Sequence, residues 1–167
     1  NEENIEAIHE EKYASAIPYN INIQYKLSYN LDKDKNVRLY TWNELAKNVY
    51  NNYNSFTDSE VKVISNFFKQ VKLDEKAAEE DKIIAIEDFI KTNINTDGNA
   101  ISDDADKIEK IVKTKLAGNF GFTRLLIGLL QKAGINHQIV YPSKRNDLGI
   151  DEAFENYRLI EEPLLYF

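Results

Sequence analysis

The stretch that decides the fold occupies residues 116–135 and reads LAGNFGFTRLLIGLLQKAGI. Its apolar residues recur at the i, i+3, i+4, i+7, i+8 spacing of one helix face, namely Phe122, Leu125, Leu126, Leu129 and Leu130. Because Ile127 and Gly128 lie between these positions, we predict a helix buried over much of its circumference. Gly118 precedes this helix, and Gly134 is well placed to cap its C-terminus.

Apolar residues at helical spacing predict four further helices upstream of this stretch. The first has about a dozen residues and begins at Trp42, and the second begins at the capping box Thr57–Glu60. The third covers residues 74–94, and the fourth includes Leu116. The polar residues 95–103 are predicted to form the loop between the third and fourth helices.

A two-residue alternation near the N-terminus predicts a strand over residues 19–29. One face of this strand is apolar and carries Ile21, Ile23, Tyr25, Leu27 and Tyr29. The other face is polar, so we predict a half-buried strand whose tyrosines pack in a sheet. Residues 37–41 are predicted to form a second short strand. After the buried helix, we predict a strand over residues 137–141 and one or two strands over residues 154–167, broken near Pro163.

Helices that are segregated from strands at the ends of the chain predict an α+β fold. The change from strands to helices places a domain boundary near residue 40. Residues 1–40 are therefore expected to be the end of an upstream β-rich domain or a linker, and residues 41–167 the main domain. The chain opens without methionine and stops on the apolar run LLYF, so we expect a main domain truncated at its C-terminus within a longer protein with flanking domains.

Charge and composition exclude several classes of function. The net charge is −7, and the lysines are interleaved with acidic residues, which argues against a nucleic-acid partner. The chain contains no cysteine, which removes disulfides, thiolate metal sites and cysteine nucleophiles. No apolar run reaches the roughly 18 residues that a membrane-spanning helix needs. No residue pattern predicts a cofactor or a metal site.

The stretch 116–135 resembles the core motif of the transglutaminase-like superfamily, in particular the bacterial, Bacteroidetes-type members. In that family a Gly-x-Cys opens a buried helix that carries paired leucines and ends in Ala-Gly-Ile before a strand. Gly118, the two leucine pairs of residues 125–130 and the Ala-Gly-Ile of residues 133–135 fall in register with that motif. The resemblance implies a papain-like core, in which helices pack on an antiparallel sheet, preceded by a β-strand segment of an upstream domain.

The chemistry implied by the resemblance is acyl transfer by a cysteine, a histidine and an aspartate. Phe120 occupies the cysteine position, and a phenyl ring cannot attack a carbonyl. The histidine position is occupied by Asn156, or by Tyr157 if the register slips by one. The aspartate would be expected just beyond Phe167. The resemblance therefore implies a pseudoenzyme whose catalytic positions are degenerate.

A cleft between the start of the buried helix and the last strands could still hold a ligand. Its candidate residues are Asn119, Phe120, Asn156 and Tyr157. We expect a peptide or a glycan there, or a scaffold role in a cell-envelope protein, and the resemblance implies a periplasmic or extracellular location. The alternative is an active hydrolase or acyltransferase with displaced catalytic residues, for example Asp151, Glu152 and Glu155.

Three further patterns predict no site. The spacing Asn93, Asn95, Asp97, Gly98 and Asp104 is similar to a calcium loop, but the ligand types at both ends are wrong, so we interpret it as an ordinary connection. His9 and His137 have no partner at metal-ligand spacing and are interpreted as structural, with His137 at the solvent end of a strand. Asp103, Asp104 and Asp106 are interpreted as acidic residues in the first turn of the fourth helix.

Overall fold

The structure, a computed structural model, describes residues 16–17, 23–30, 37–97, 104–144 and 147–167. The chain divides into two units. The terminal unit contains the residues up to Asn48 together with Ile139–Tyr166, and the helical unit contains Val49–Gln138. The predicted boundary near residue 40 stays a prediction.

The described residues form five α-helices and four short strands. The helices are α1 (Trp42–Asn54), α2 (Asp58–Phe68), α3 (Glu79–Asn93), α4 (Ile108–Thr114) and α5 (Asn119–Lys132). The strands are β1 (Asn95–Thr96), β2 (Leu116–Ala117), β3 (Gln138–Val140) and β4 (Leu164–Tyr166), and a 3-10 turn covers Tyr157–Leu159. This mixture agrees with the predicted α+β class. None of the helices in the described part of the chain has the length and apolar character needed to cross a membrane.

Helix α5 lies at the centre of the helical unit and packs against α2, α3 and α4. Leu125, Ile127, Leu129 and Leu130 of α5 are completely buried. Full burial of one such side chain stabilises a fold by about 1.5–3 kcal/mol. The prediction of a helix buried over much of its circumference is confirmed.

Both ends of α5 lie where its glycines predict them. Gly118 is the N-cap residue in an extended conformation. At the other end Gly134 has φ +73°, a left-handed conformation that glycine adopts without steric cost. The Ile135 N–H donates to the Leu130 carbonyl at 3.0 Å, which completes a Schellman motif. The predicted C-terminal cap is therefore confirmed.

Helix α1 and the start of α2 also match their predictions. Helix α1 begins at Trp42 and has 13 residues. The capping box of α2 is formed on both sides, because the Glu60 N–H donates to Thr57 Oγ1 and the Thr57 N–H donates to Glu60 Oε2. Helix α3 begins later than predicted, at Glu79. The reason is a turn in which Asp74 Oδ1 accepts the Lys76 N–H at 2.9 Å, a local bond that competes with helix formation.

Two parts of the helical unit differ from their predictions. Residues 95–96 were predicted to lie in a loop but form β1, and Leu116 was predicted to lie in the fourth helix but belongs to β2. The two strands pair in parallel, with Asn95 opposite Leu116 and Thr96 opposite Ala117. Helix α4 ends before Leu116 because Lys115 adopts a left-handed conformation, with φ 62°. Helix α4 is therefore the crossover between two parallel strands.

The prediction of a half-buried strand over residues 19–29 is wrong for its described part. Residues 19–22 lie outside the described residues, and residues 23–28 form no ladder. The solvent exposure of the side chains alternates with the two-residue period of an extended chain, but the apolar side chains are the exposed ones. Ile23 is 89% exposed and Tyr25 is 93% exposed, so this face does not pack in a sheet. The second predicted strand, residues 37–41, is reduced to one antiparallel bridge that joins Tyr29 and Arg38.

The strands at the end of the chain are confirmed in part. The prediction for residues 137–141 is confirmed as β3, and β4 follows Pro163 as predicted. Residues 157–159 form a 3-10 turn instead of a strand, because the Asn156 side chain accepts the Arg158 N–H and caps that turn. In the described residues β3 pairs with β4, so residues 156–159 do not contribute a strand to its sheet.

Helix α5 contains a glycine that the packing requires. A Cβ atom at Gly121 would lie 2.5 Å from the Ala105 carbonyl oxygen and 2.8 Å from Asp106 Cα, both of which are backbone atoms. We expect Gly121→Ala to destabilise the fold by about 1–3 kcal/mol, although alanine has the higher helix propensity. Urea unfolding followed by circular dichroism measures this change.

Gly128→Ala is the matched control, because it lies in the same helix. Its added Cβ would meet Ile64 Cδ1, the end of a flexible side chain, at 2.6 Å. We expect a smaller loss of stability there than at Gly121. An equal or greater loss of stability in Gly128→Ala would contradict the importance of the close approach between Gly121 and the Ala105–Asp106 backbone.

Candidate functional site

The first turn of α5 holds Asn119 and Phe120, two of the predicted cleft residues. The Phe120 ring is half-buried, and its centroid lies 4.8 Å from that of Tyr53 with an edge-on geometry. The Arg124 guanidinium lies 5.9 Å from the Phe120 ring centroid. Asn119 is exposed, and its carbonyl accepts a hydrogen bond from Thr123 Oγ1. Phe120 is thus part of an aromatic and cationic cluster inside the helical unit.

A carboxylate caps the N-terminus of α5. The Gly121 N–H donates to Asp106 Oδ1 at 3.0 Å, and the Gly118 N–H donates to the Ala105 carbonyl at 3.0 Å. Asp106 was interpreted as a first-turn residue of the fourth helix, but it precedes the N-cap of α4 and serves α5 instead. A helix N-terminus attracts negative charge, and here the Asp106 carboxylate already supplies it.

Arg124 and Glu60 form an ion pair behind Phe120. Arg124 Nη1 lies 3.0 Å from Glu60 Oε1, and both side chains are almost buried, at 13% and 12% exposure. Arg124 also donates to the Ser55 carbonyl at 2.9 Å. Burial raises the pKa of Glu60, but the hydrogen bonds from the Thr57 N–H and from Arg124 outweigh it, so the net pKa lies below its ordinary value. Glu60 therefore stays ionised and holds α2 to α5.

The terminal unit contains a groove of about 690 Å³. This volume lies within the roughly 300–1,000 Å³ range of ligand pockets. Its lining comes from the extended segment Ile23–Leu27, from Tyr40 and from the residues Glu155, Asn156, Tyr157 and Arg158. We call it the tyrosine groove, because Tyr25, Tyr40 and Tyr157 line it. Its lining includes both residues proposed for the degenerate histidine position.

Asn156 and Tyr157 are both fixed by hydrogen bonds within the terminal unit. Asn156 Nδ2 donates to Gln24 Oε1 at 2.8 Å, and Asn156 Oδ1 accepts the Arg158 N–H. The Tyr157 hydroxyl donates to the Thr41 carbonyl at 2.5 Å. Burial, together with the negative charges of Glu44 and Glu155, raises the pKa of Tyr157. Neither residue therefore supplies a base for acyl transfer at neutral pH.

An ion-pair cluster holds the segment Ile23–Leu27 to the floor of the tyrosine groove. Glu155 pairs with Lys26, and Arg38 Nη2 lies 2.8 Å from the same Glu155 oxygen. The hydrogen bond from Lys26, the charge of Arg38 and a backbone hydrogen bond together lower the pKa of Glu155. These bonds turn the polar side of the segment inward, which is why its apolar side faces solvent.

The backbone of Tyr40 is strained at the rim of the tyrosine groove. Tyr40 has φ 56°, a left-handed conformation that is uncommon for a bulky residue and costs of order 1–3 kcal/mol. Its ring contacts Tyr157 edge-on, with centroids 6.0 Å apart, and the ring centroid of Trp42 lies 5.5 Å from that of Tyr157. Such strain persists only where the surrounding structure holds it, and it is concentrated at functional sites.

The predicted site residues divide between the two units. Asn119 and Phe120 belong to the helical unit, and Asn156 and Tyr157 belong to the terminal unit. That these four residues line a single cleft stays a prediction. Sequence reasoning missed the groove residues Gln24 and Lys26, because their partners Asn156 and Glu155 are far away in the chain. The alternation of residues 23–29 was the available signal, but it does not tell which face is buried.

The other patterns contribute no site within the described residues. No group of three or more histidine, cysteine, aspartate or glutamate side chains there could hold a metal ion. Asn93 Nδ2 donates to the Phe89 carbonyl, and Asp104 pairs with Lys107, so these two ends of the calcium-like spacing have other partners. His137 is half-buried and bonds Asn54 Oδ1 through Nε2 at 3.2 Å, while His9 lies outside the described residues.

Comparisons with known proteins find no relative of this chain. No family model, no curated protein and no solved structure matches it.

The ion pair of Glu60 should make stability depend on pH. Because the pKa of Glu60 is lowered in the folded state, its contribution is present above about pH 4.3, the ordinary glutamate pKa, and is lost as the pH falls through the folded-state value. At neutral pH we expect Glu60→Gln to cost about 2 kcal/mol. The difference in the free energy of unfolding between wild type and Glu60→Gln should become smaller in acid. Urea unfolding at neutral pH and at a pH below the folded-state pKa of Glu60 measures this difference.

Glu162→Gln is the control, because Glu162 is an exposed glutamate that lies outside the helices. We expect its stability to stay close to that of wild type at both pH values. If the difference in the free energy of unfolding between wild type and Glu60→Gln is the same at both pH values, the ion pair of Glu60 and Arg124 does not have this role.

Proposed function

We propose that this chain is a non-catalytic module of the transglutaminase-like superfamily that binds a peptide or a glycan, or acts as a scaffold, in a cell-envelope protein. The observation that carries the proposal is the environment of Phe120 at the position of the family's cysteine. Its ring contacts Tyr53 and Arg124, and the carboxylate of Asp106 caps the same helix end. The papain-like core and the periplasmic or extracellular location rest on the resemblance of residues 116–135.

Two features support the absence of cysteine-type acyl transfer. The reaction needs a thiolate that is stabilised at a helix N-terminus, and here that end carries a phenyl ring and is already neutralised by Asp106. The reaction also needs a base, and the amide of Asn156 has no basic nitrogen. Its oxygen and its nitrogen are both engaged, with the Arg158 N–H and with Gln24.

No observation favours the alternative of displaced carboxylate chemistry. Among its candidate residues, Glu155 is held by Lys26 and Arg38, which keep its carboxylate charged and unable to donate a proton at neutral pH. Asp151 Oδ1 accepts the Ala153 N–H in a local turn. Glu152 is exposed.

The tyrosine groove supports a binding role. Tyrosine rings offer rigid apolar surface together with a hydroxyl group, which suits both peptides and sugar rings. Tyr25 is 93% exposed, so its ring contributes little to the fold and is available to a ligand. Trp42 is the chain's single tryptophan, and its contact with Tyr157 makes its fluorescence a reporter of events in the groove.

The first test is enzymatic. The chain is incubated with a glutamine-containing protein and a fluorescent primary amine, and also with a peptide substrate for hydrolysis. We expect no product above a reaction that lacks the chain, because no nucleophile occupies the start of α5. Turnover that is lost when Asp151, Glu152 or Glu155 is replaced by its amide would establish the displaced-chemistry alternative instead.

The second test is binding. The chain is screened against a displayed library of random peptides and against an array of cell-envelope oligosaccharides, with Trp42 fluorescence as the solution readout. We expect Tyr25→Ala to weaken binding of the selected ligand by about tenfold, the loss of about 1.4 kcal/mol of ring contact. The stability of this variant should be unchanged.

Tyr50→Ala is the matched control, because Tyr50 is an exposed tyrosine of α1 that does not line the groove. We expect it to bind as wild type does. Absence of binding in both screens, or equal losses in the two variants, would argue against the groove as a binding site.

A further inference from the structure

Residues 23–27 directly precede a short antiparallel contact that begins at Ser28. Tyr29 bridges Arg38, and the Leu39 N–H donates to the Ser28 carbonyl at 2.8 Å. The next residue, Tyr40, turns into the left-handed conformation, and α1 follows from Trp42. The segment of residues 37–39 therefore stops pairing at Tyr40. It leaves the backbone of residues 23–27 without a neighbouring strand on that side, and the tyrosine groove lies beside these residues.

The direction of the backbone groups follows from the Ser28 bond. In an extended chain the N–H and C=O of alternate residues point to the same edge. Because the Ser28 carbonyl points to Leu39, the backbone groups of Lys26 and Gln24 point to that edge as well, and those of Tyr25 point to the other. Within the described residues the backbone groups of Gln24 and Lys26 form no hydrogen bonds.

We propose that the tyrosine groove binds an extended acidic peptide, which pairs with the backbone of Gln24 and Lys26 and continues the ladder that Leu39 begins. This inference rests on the proposed binding function and specifies its ligand. An open edge of peptide N–H and C=O groups is matched by another peptide backbone, the mode known as β-augmentation. A glycan has no regular array of such groups.

The charges of the groove lining indicate that the bound peptide is acidic. The groove lining contains two cations, Lys26 and Arg158, and one anion, Glu155, which is also paired with Arg38. Arg158 is exposed and forms no ion pair in the described part of the chain. This cationic patch lies in a chain whose net charge is −7. A short acidic peptide contacts mainly these local cations, whereas a second copy of the chain brings its whole net charge of −7 against a chain of the same charge.

The test uses synthetic peptides of about seven residues, because about five residues at 3.3 Å each match the roughly 17 Å span of the segment Ile23–Leu27 and one more is added at each end. In the probe peptide glutamate alternates with valine and threonine, and in its partner every glutamate is replaced by lysine. Two further versions carry N-methyl groups on one or the other set of alternate amides. Affinity is measured by the anisotropy of labelled peptides, and Trp42 fluorescence locates the binding.

We expect the glutamate peptide to bind at least about tenfold tighter than the lysine peptide. N-methylation of one set of alternate amides should abolish binding, and methylation of the other set should be tolerated, because only one set faces the edge. Amide hydrogen exchange should slow at Gln24 and Lys26 and not at Tyr25. Arg158→Gln should reduce the preference for glutamate, while Lys132→Gln, at an exposed lysine of α5, should not.

Other outcomes separate this inference from the proposed function. Equal tolerance of both methylated peptides, or no slowing at Gln24 and Lys26, overturns the backbone pairing. Slowing at these amides that depends on protein concentration alone identifies a second copy as the occupant and also overturns it. Binding of an oligosaccharide without any peptide overturns this inference but leaves the proposed function standing. Binding of neither ligand overturns both.

Discussion

The helical unit depends on keeping helix α5 buried over much of its circumference while backbone groups at both of its ends are hydrogen-bonded. Burial of Leu125, Ile127 and Leu129 stabilises the unit, but an uncompensated helix end would cost a comparable free energy. The Asp106 carboxylate and the Ala105 carbonyl serve the first turn, and the Schellman motif at Gly134 serves the last. Gly121 is small enough for the Ala105–Asp106 backbone to approach the helix closely. Apolar packing and capping therefore constrain the same few residues.

This constraint bears directly on function at the start of α5. A cysteine protease or transglutaminase uses the positive end of a helix to stabilise a thiolate, so the end must be open to substrate and free of another anion. In this chain the same end carries the Phe120 ring, beside Tyr53 and Arg124, and the Asp106 carboxylate bonds the third N–H of the helix. At the start of α5 these groups therefore contribute packing and capping, which is what the proposed non-catalytic role requires of them.

The features that were predictable from the sequence are local ones. The capping box at Thr57, the bounds of α1 and the glycine cap at Gly134 each depend on residues within a few positions of one another, and each is confirmed. The errors have physical causes in bonds that the local pattern does not show. Lys115 takes a left-handed conformation that ends α4 early, and Asp106 serves a helix other than its neighbour. Of the residues that line the tyrosine groove, the sequence named Asn156 and Tyr157, and their role in a binding site stays a prediction.

The segment Ile23–Leu27 shows why periodicity alone could not assign the buried face. A two-residue alternation identifies an extended chain, but the free energies of both faces decide which one turns inward. Here Glu155 and Asn156, more than a hundred residues away, bond Lys26 and Gln24, so the polar face is held in place and the apolar face is left exposed. Exposed apolar side chains attract other peptide chains when they lie beside backbone groups such as those of Gln24 and Lys26, which form no hydrogen bond among the described residues. The interactions that made the strand prediction wrong therefore also create the surface proposed here for binding.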